Sequence, residues 1–289
     1  MSWQMALAIL LLVNTGSVVL TKVAADIIPK KSIGIFYQYL FCVAIAVIYG
    51  FLTKEVKVTF VMLLIGAVGF VNAFGNYFQW RASALSLSRT TLFFPMMEVV
   101  TIVLAVSFLG EDVLWNPQLI IGAALCFLAM WLFRMSKRES GNHAETPAGK
   151  WIVFILGMIL IFGTTGFLLK WFALDVPRGT FLLAWYVGAF LAALPILLLE
   201  KSNPLKATRQ NILTVLPVSF AIWGSLLLLY LTYQLEGPVS LVLPVRGLAI
   251  TLIPVLIGWW LFRERKGLSG REWIGFLAGV AGAVLVLLR

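Results

Sequence analysis

The stretch Pro238–Gly282, PVSLVLPVRGLAITLIPVLIGWWLFRERKGLSGREWIGFLAGVAG, reads as a long apolar helix, a short charged turn and a second apolar helix. The chain carries an earlier version of it. Shifted back by 153 residues, Leu261-Phe262-Arg263-Glu264 falls on Phe108-Leu109-Gly110-Glu111, and Trp273-Ile274-Gly275 falls on Ile120-Ile121-Gly122. No gap is needed across the turn, and the Glu-to-Gly spacing is the same in both copies. A matching turn between two matching apolar spans points to a duplication, so the chain is read as two facing halves.

Composition sets the class. Hydrophobic residues make up 61% of the chain and charged residues 12%, and the mean hydropathy is +0.99. That excludes an ordinary soluble domain. A bilayer core of about 30 Å needs roughly 20 apolar residues in a helix, and the sequence offers ten such runs. The fold expected is an all-α polytopic membrane protein of ten transmembrane helices, arranged as two inverted five-helix repeats. The run from Trp3 has no basic flank and no small-residue cleavage site, and reads as a retained helix. Cys42 and Cys126 fall mid-span as small packing residues, and the single histidine, His143, sits in the longest polar loop. No metal set, cofactor or catalytic group is expected. The net charge of +10 is confined to helix ends, which topology explains better than nucleic-acid binding.

The predicted spans are 3–21, 33–52, 59–80, 90–109 and 117–135, then 151–171, 179–199, 211–235, 239–262 and 271–288. Residues 1–135 form the first repeat, 136–150 a hydrophilic linker and 151–289 the second repeat. Five is odd, so the second copy enters the membrane inverted. Lysine and arginine agree: of the 22, sixteen fall in odd-numbered connections, five in even connections and the termini, and Arg246 inside a span. By the positive-inside rule the odd connections are cytoplasmic and both termini external.

A ten-helix chain of this length resembles an EamA-type carrier of the drug/metabolite transporter superfamily. The resemblance rests on the two turns Glu111…Ile121-Gly122 and Glu264…Ile274-Gly275 and on the Arg246-Gly247 pair of the ninth span, and it extends over essentially the whole chain. It implies transport through a central cavity lined by the first, third, fourth, sixth, eighth and ninth spans, with the fifth and tenth outside. This chain departs from the pattern at Arg263, where the first copy has Gly110, and at Glu98, where an apolar residue is usual.

Glu98 is the one acid well inside a predicted span, a placement costing about 2–3 kcal/mol. Desolvation favours its neutral form, which suits a group that binds and releases a proton. Arg246 is the one comparably deep base; it keeps its charge and needs an anion. Two readings stand: the pair neutralises itself across the bundle, or Arg246 holds a substrate carboxylate or phosphate. Asn72, Asn76 and Gln79 share a face of the third span, and Trp223, Tyr230 and Gln234 share one of the eighth. Such stripes either bond helices together or line a cavity. Asn14 in the first span and Trp185-Tyr186 in the seventh are weaker candidates. Pro95, Pro244 and Pro254 interrupt the fourth and ninth spans, where freed carbonyls could serve a cavity. Gly275, Gly279 and Gly282 allow close helix packing within the chain or in a homodimer.

The function expected is secondary transport of small polar or amphipathic metabolites, chiefly export, across the plasma membrane. The expected partners are a small-molecule substrate, protons and the lipid bilayer, with no nucleic acid. The chain is expected to be a monomer or weak homodimer. Two rivals differ in class. A non-transporting scaffold or sensor needs no cavity, and an intramembrane enzyme lacks a second buried acid, a Ser-His pair or a metal set.

Overall fold

A computed structural model describes residues 2–109, 117–135, 148–173, 176–235, 239–264 and 270–287. The Glu111-Asp112 turn, most of the 136–150 linker, Arg265, Lys266 and the side chain of Pro244 lie outside the described residues. Within them the protein is helical throughout, without strands: α1 Trp3–Ile27, α2 Lys31–Thr53, α3 Val61–Leu85, α4 Leu87–Thr91, α5 Pro95–Leu109, α6 Pro117–Met135, α7 Ala148–Ala173, α8 Arg178–Leu199, α9 Arg209–Gln234, α10 Val239–Trp260 and α11 Gly270–Leu287. Among the described residues, six helices are long and apolar enough to cross a membrane: α1, α2, α3, α8, α9 and the Lys150–Leu169 part of α7. Many large apolar side chains, such as Leu12, Phe51, Leu198 and Trp260, face outward, as they do where the solvent is lipid.

Local chemistry explains most boundaries. Ser2 caps α1 by accepting from Met5 N–H, and Thr208 caps α9 by accepting from Asn211 N–H. The left-handed Lys54, φ 55°, ends α2. The fourth predicted span differs from expectation. Instead of one helix over 90–109, the chain forms the short α4, a turn at 92–94 and then α5. Pro95 supplies no N–H, and its ring disfavours helical backbone at Phe94. The turn is instead tightened by i→i−3 bonds, Phe93 N–H to Thr90 O and Phe94 N–H to Thr91 O. By contrast α10 runs as one helix through both Pro244 and Pro254.

The helices pack as α1 on α9, α2 on α8 and α9, α3 on α7 and α8, α5 on α7, α10 on α1 and α4, and α6 on α11. Glycines decide two of these seams. A Cβ at Gly69 or Gly188 would collide with backbone, that of Trp185 and Gly66 respectively, so α3 and α8 meet nearly backbone to backbone. On the other flank Gly282 faces the carbonyl of Gly122, Gly279 faces Ala129 and Gly275 faces the Phe133 ring. The glycine stripe of the last helix is therefore used inside the chain.

Candidate functional site

A cavity of about 250 Å³ opens between the helices, slightly below the roughly 300–1,000 Å³ of most small-molecule sites. Its wall takes Asn14, Ser17, Val18 and Thr21 from α1, Asn72, Asn76 and Gln79 from α3, and Met97, Glu98 and Thr101 from α5, with Phe94 just before α5. From the other half come Phe162, Thr165, Gly166 and Leu169 of α7, Ile222, Ser225, Leu226, Leu229 and Tyr233 of α9, and Arg246 and Ile250 of α10. Tyr39 of α2 and Trp185 and Tyr186 of α8 also line it, and among the described residues none of α6 or α11 does.

Glu98 is buried and sits in the first turn of α5, because the chain breaks before Pro95. The sequence alone suggested a carboxylate buried mid-helix. A helix N-terminus instead offers it a favourable dipole, while the Met96 and Met97 N–H groups are already bonded to Phe93 O and Phe94 O. Arg246 enters from α10, and the charges of both residues act on Tyr233. Asn14 is 8% exposed, and its side-chain N–H₂ has no acceptor; the same holds for the Arg246 Nε–H and the buried Ser225 hydroxyl.

Several other polar groups on the wall are engaged within the protein. Thr165 Oγ1 donates to Asn72 Oδ1 at 3.0 Å, and Asn76 Nδ2 to Asn72 O at 3.4 Å. Thr101 Oγ1 donates to Gly163 O at 2.9 Å, and Tyr186 OH to Ile222 O at 3.2 Å. The Tyr39 hydroxyl, near Asn72 and Asn76, is buried without a hydrogen-bond partner.

Of the expected residues, Asn14, Asn72, Asn76, Gln79, Glu98 and Arg246 are brought together on this wall. Trp223, Tyr230 and Gln234 are not. Tyr230 donates to Phe172 O and Val176 O, Gln234 donates to Val176 O, and Trp223 packs edge-on to Tyr49. The stripe 223/230/234 lies one residue on from the cavity stripe 222/229/233, which turns it about 100° round the helix. Tyr39, Thr165, Ser225 and Tyr233 were missed. The apolar i, i+3, i+7 row Leu226–Leu229–Tyr233 could have flagged Tyr233.

A layer of ion pairs crosses one end of the bundle. Glu264, just after α10, accepts from Leu87 N–H at 2.7 Å, Ser88 N–H at 2.9 Å and Ser86 Oγ at 3.0 Å, and also from the Ser88 hydroxyl. Lys22 Nζ lies 3.9 Å from Glu264 and 2.9 Å from Asp26, and Arg89 pairs with Glu272. Glu200 accepts from Ser32 and from Tyr77 OH and pairs with Arg81 at 2.9 Å. The first, third, seventh and ninth connections therefore meet at one end. Thr21 and Gln79 bring the cavity to the inner edge of this layer. At the other end Arg178 pairs with Glu55 at 3.2 Å.

A solved crystal structure shares this fold over 97% of the present chain and 97% of its own, with a TM-score of 0.58 and 17% identity. No family model and no curated protein matches the sequence.

Proposed function

We propose that the protein is a secondary transporter that moves small polar or amphipathic metabolites across the plasma membrane, in the direction of export, by alternating access. Its ten spans form two inverted repeats of the EamA type, with α4 and α5 together making the fourth span. The observation that carries this reading is the cavity: a site of mixed polar and apolar lining, walled mainly by α1, α3 and α5 of one half and by α7, α9 and α10 of the other, with one acid and one base in it. A membrane scaffold has no use for such a site, and a sensor would bind its ligand there without moving it.

The packing supports the duplication. Exchanging the two halves carries the α1–α9 contact onto α7–α3, α2–α9 onto α8–α3 and α1–α10 onto α7–α5, while α2–α8 and α6–α11 map onto themselves. Gathering of the odd connections at one end favours the topology in which their basic residues are cytoplasmic and both termini external. Ion pairs close that end here, so opening it means separating Glu264 from α4 and Glu200 from α2. The energy source is an ion gradient, with protons acting at Glu98 as the first candidate, or the substrate's own gradient.

A growth-rescue screen under toxic metabolite load identifies a substrate, and flux of that compound into liposomes bearing the purified protein tests the reading. Flux that depends on Glu98 and Arg246 is expected. Folded protein that binds the compound without moving it would leave the scaffold or sensor reading.

A further inference from the structure

Resting on the reading of this cavity as the substrate site, we infer that its ligand is a small organic anion, an amphipathic monocarboxylate whose carboxylate is held by Arg246, Asn14 and Ser225. The hydrogen-bond inventory of the wall is lopsided. Its hydroxyls and amides on α3, α5, α7 and α8 largely satisfy one another or nearby carbonyls, and Glu98 is engaged by groups of the protein. Buried on the wall without a partner, besides the Tyr39 hydroxyl near Asn72 and Asn76, are a guanidinium N–H at Arg246, an amide N–H₂ at Asn14 and a hydroxyl at Ser225.

All three can donate. The guanidinium cannot shed its proton, and a buried donor without an acceptor is costly to keep. The complement of such a set is rich in acceptors and carries negative charge, and a carboxylate meets a guanidinium with matched planar geometry. The Val13 side chain lies 3.6 Å from the position of a Cβ at Gly224, so the residues that follow them, Asn14 and Ser225, stand at the same level across the α1–α9 seam. The rest of the wall is apolar and aromatic at Phe94, Met97, Phe162 and Trp185, which suits a compact hydrophobic body. The limited volume excludes a long one.

Equilibrium binding of radiolabelled benzoate to the purified full-length protein in detergent tests this without asking it to transport anything. Saturable binding is expected, displaced by unlabelled benzoate but by neither benzamide, which has the same shape without the charge, nor benzylamine, which has the opposite charge. Arg246→Gln should weaken binding by about ten- to hundredfold, the usual loss for a charge-assisted hydrogen bond. Asn14→Asp, which sets a carboxylate against the ligand's, should weaken it at least tenfold and gives a second reading if Arg246→Gln does not fold. Equal displacement by benzamide or benzylamine, no saturable binding, or unchanged affinity in a folded Asn14→Asp protein would overturn the assignment. Benzoate binding without flux in liposomes would instead remove the transport reading and leave the ligand class standing.

Discussion

The Glu200 carboxylate accepts hydrogen bonds from both the backbone N–H and the hydroxyl of Ser32, 168 positions earlier, at 3.0 and 2.7 Å. The end of α8 is thereby tied to the first turn of α2. At the far end the relationship is returned: Glu55, just past α2, accepts from Gly179 N–H in the first turn of α8 at 3.3 Å. The two helices run antiparallel, and each has a carboxylate at its end that answers the orphan N–H groups and dipole of the other's start. Such a reciprocal pair is what the proposed inverted duplication would produce.

The α3–α8 seam is the packing contact least able to change. Gly188→Leu places a side chain against the backbone of Gly66, which cannot move aside as a flexible side chain could. A loss of at least about 3 kcal/mol is expected, the upper range for overpacking. Thermal unfolding of the detergent-purified protein should show a large fall in Tm or no folded fraction. A protein of unchanged Tm would mean that α3 and α8 are not in contact at this level.

Arg246 is expected to act through its planar fork as well as its charge. Arg246→Lys should cut transport at least tenfold while expression and Tm hold, because a lysine ammonium cannot make the paired bonds. Arg246→Leu should abolish transport. Initial-rate flux of each variant in liposomes is the measurement, and wild-type rates in the leucine variant would make the residue a bystander.

The proposed sidedness rests on the placement of basic residues. A cysteine at Asn142, in a background lacking Cys42 and Cys126, should resist an impermeant thiol reagent added to intact cells and react after the cells are opened. Both natural cysteines are buried, so removing them leaves the surface unchanged. Ready labelling in intact cells reverses the topology.

Glu98 is the expected coupling group. Burial disfavours its carboxylate, whereas the first turn of α5 and the field of Arg246 favour it, and alternating access shifts that balance in each cycle. Glu98→Gln keeps the shape and removes the titration. It should retain exchange between equal substrate pools and lose accumulation driven by an imposed pH difference. Accumulation with an unchanged response to the gradient would reduce Glu98 to a packing residue.

The helices and one side of the cavity were legible in the sequence because they are written in local pattern. Asn72, Asn76 and Gln79 fall on one face by spacing alone, and the apolar runs mark the helices. Three features were not. Pro95 was read as a kink, yet Pro254 lies in an equally apolar run where α10 continues unbroken; the surrounding packing decides which proline breaks a helix. The face of α9 that meets the cavity was taken one residue out of register, because Tyr230 and Gln234 bond to α7 and to the chain just past it while Ile222, Leu226 and Leu229, with Ser225 and Tyr233, face inward. The closure by Glu264 joins groups 176 to 178 residues apart, a distance over which one sequence carries no register.

Alternating access of one cavity is the central claim, and accessibility measures it most directly. Leu226 lines the cavity without taking part in its polar contacts, so Leu226→Cys in a cysteine-free background is a suitable reporter. In sealed liposomes of known protein orientation, an impermeant thiol reagent should reach this cysteine from either side, while a trapped small dye stays inside. Glu264→Gln removes a charge that holds the ion-paired end shut, worth about 1.5 kcal/mol or more, and should raise the labelling rate from that end roughly tenfold and lower it from the other. Labelling confined to one side and unmoved by Glu264→Gln, or simultaneous access accompanied by dye leakage, would contradict the account.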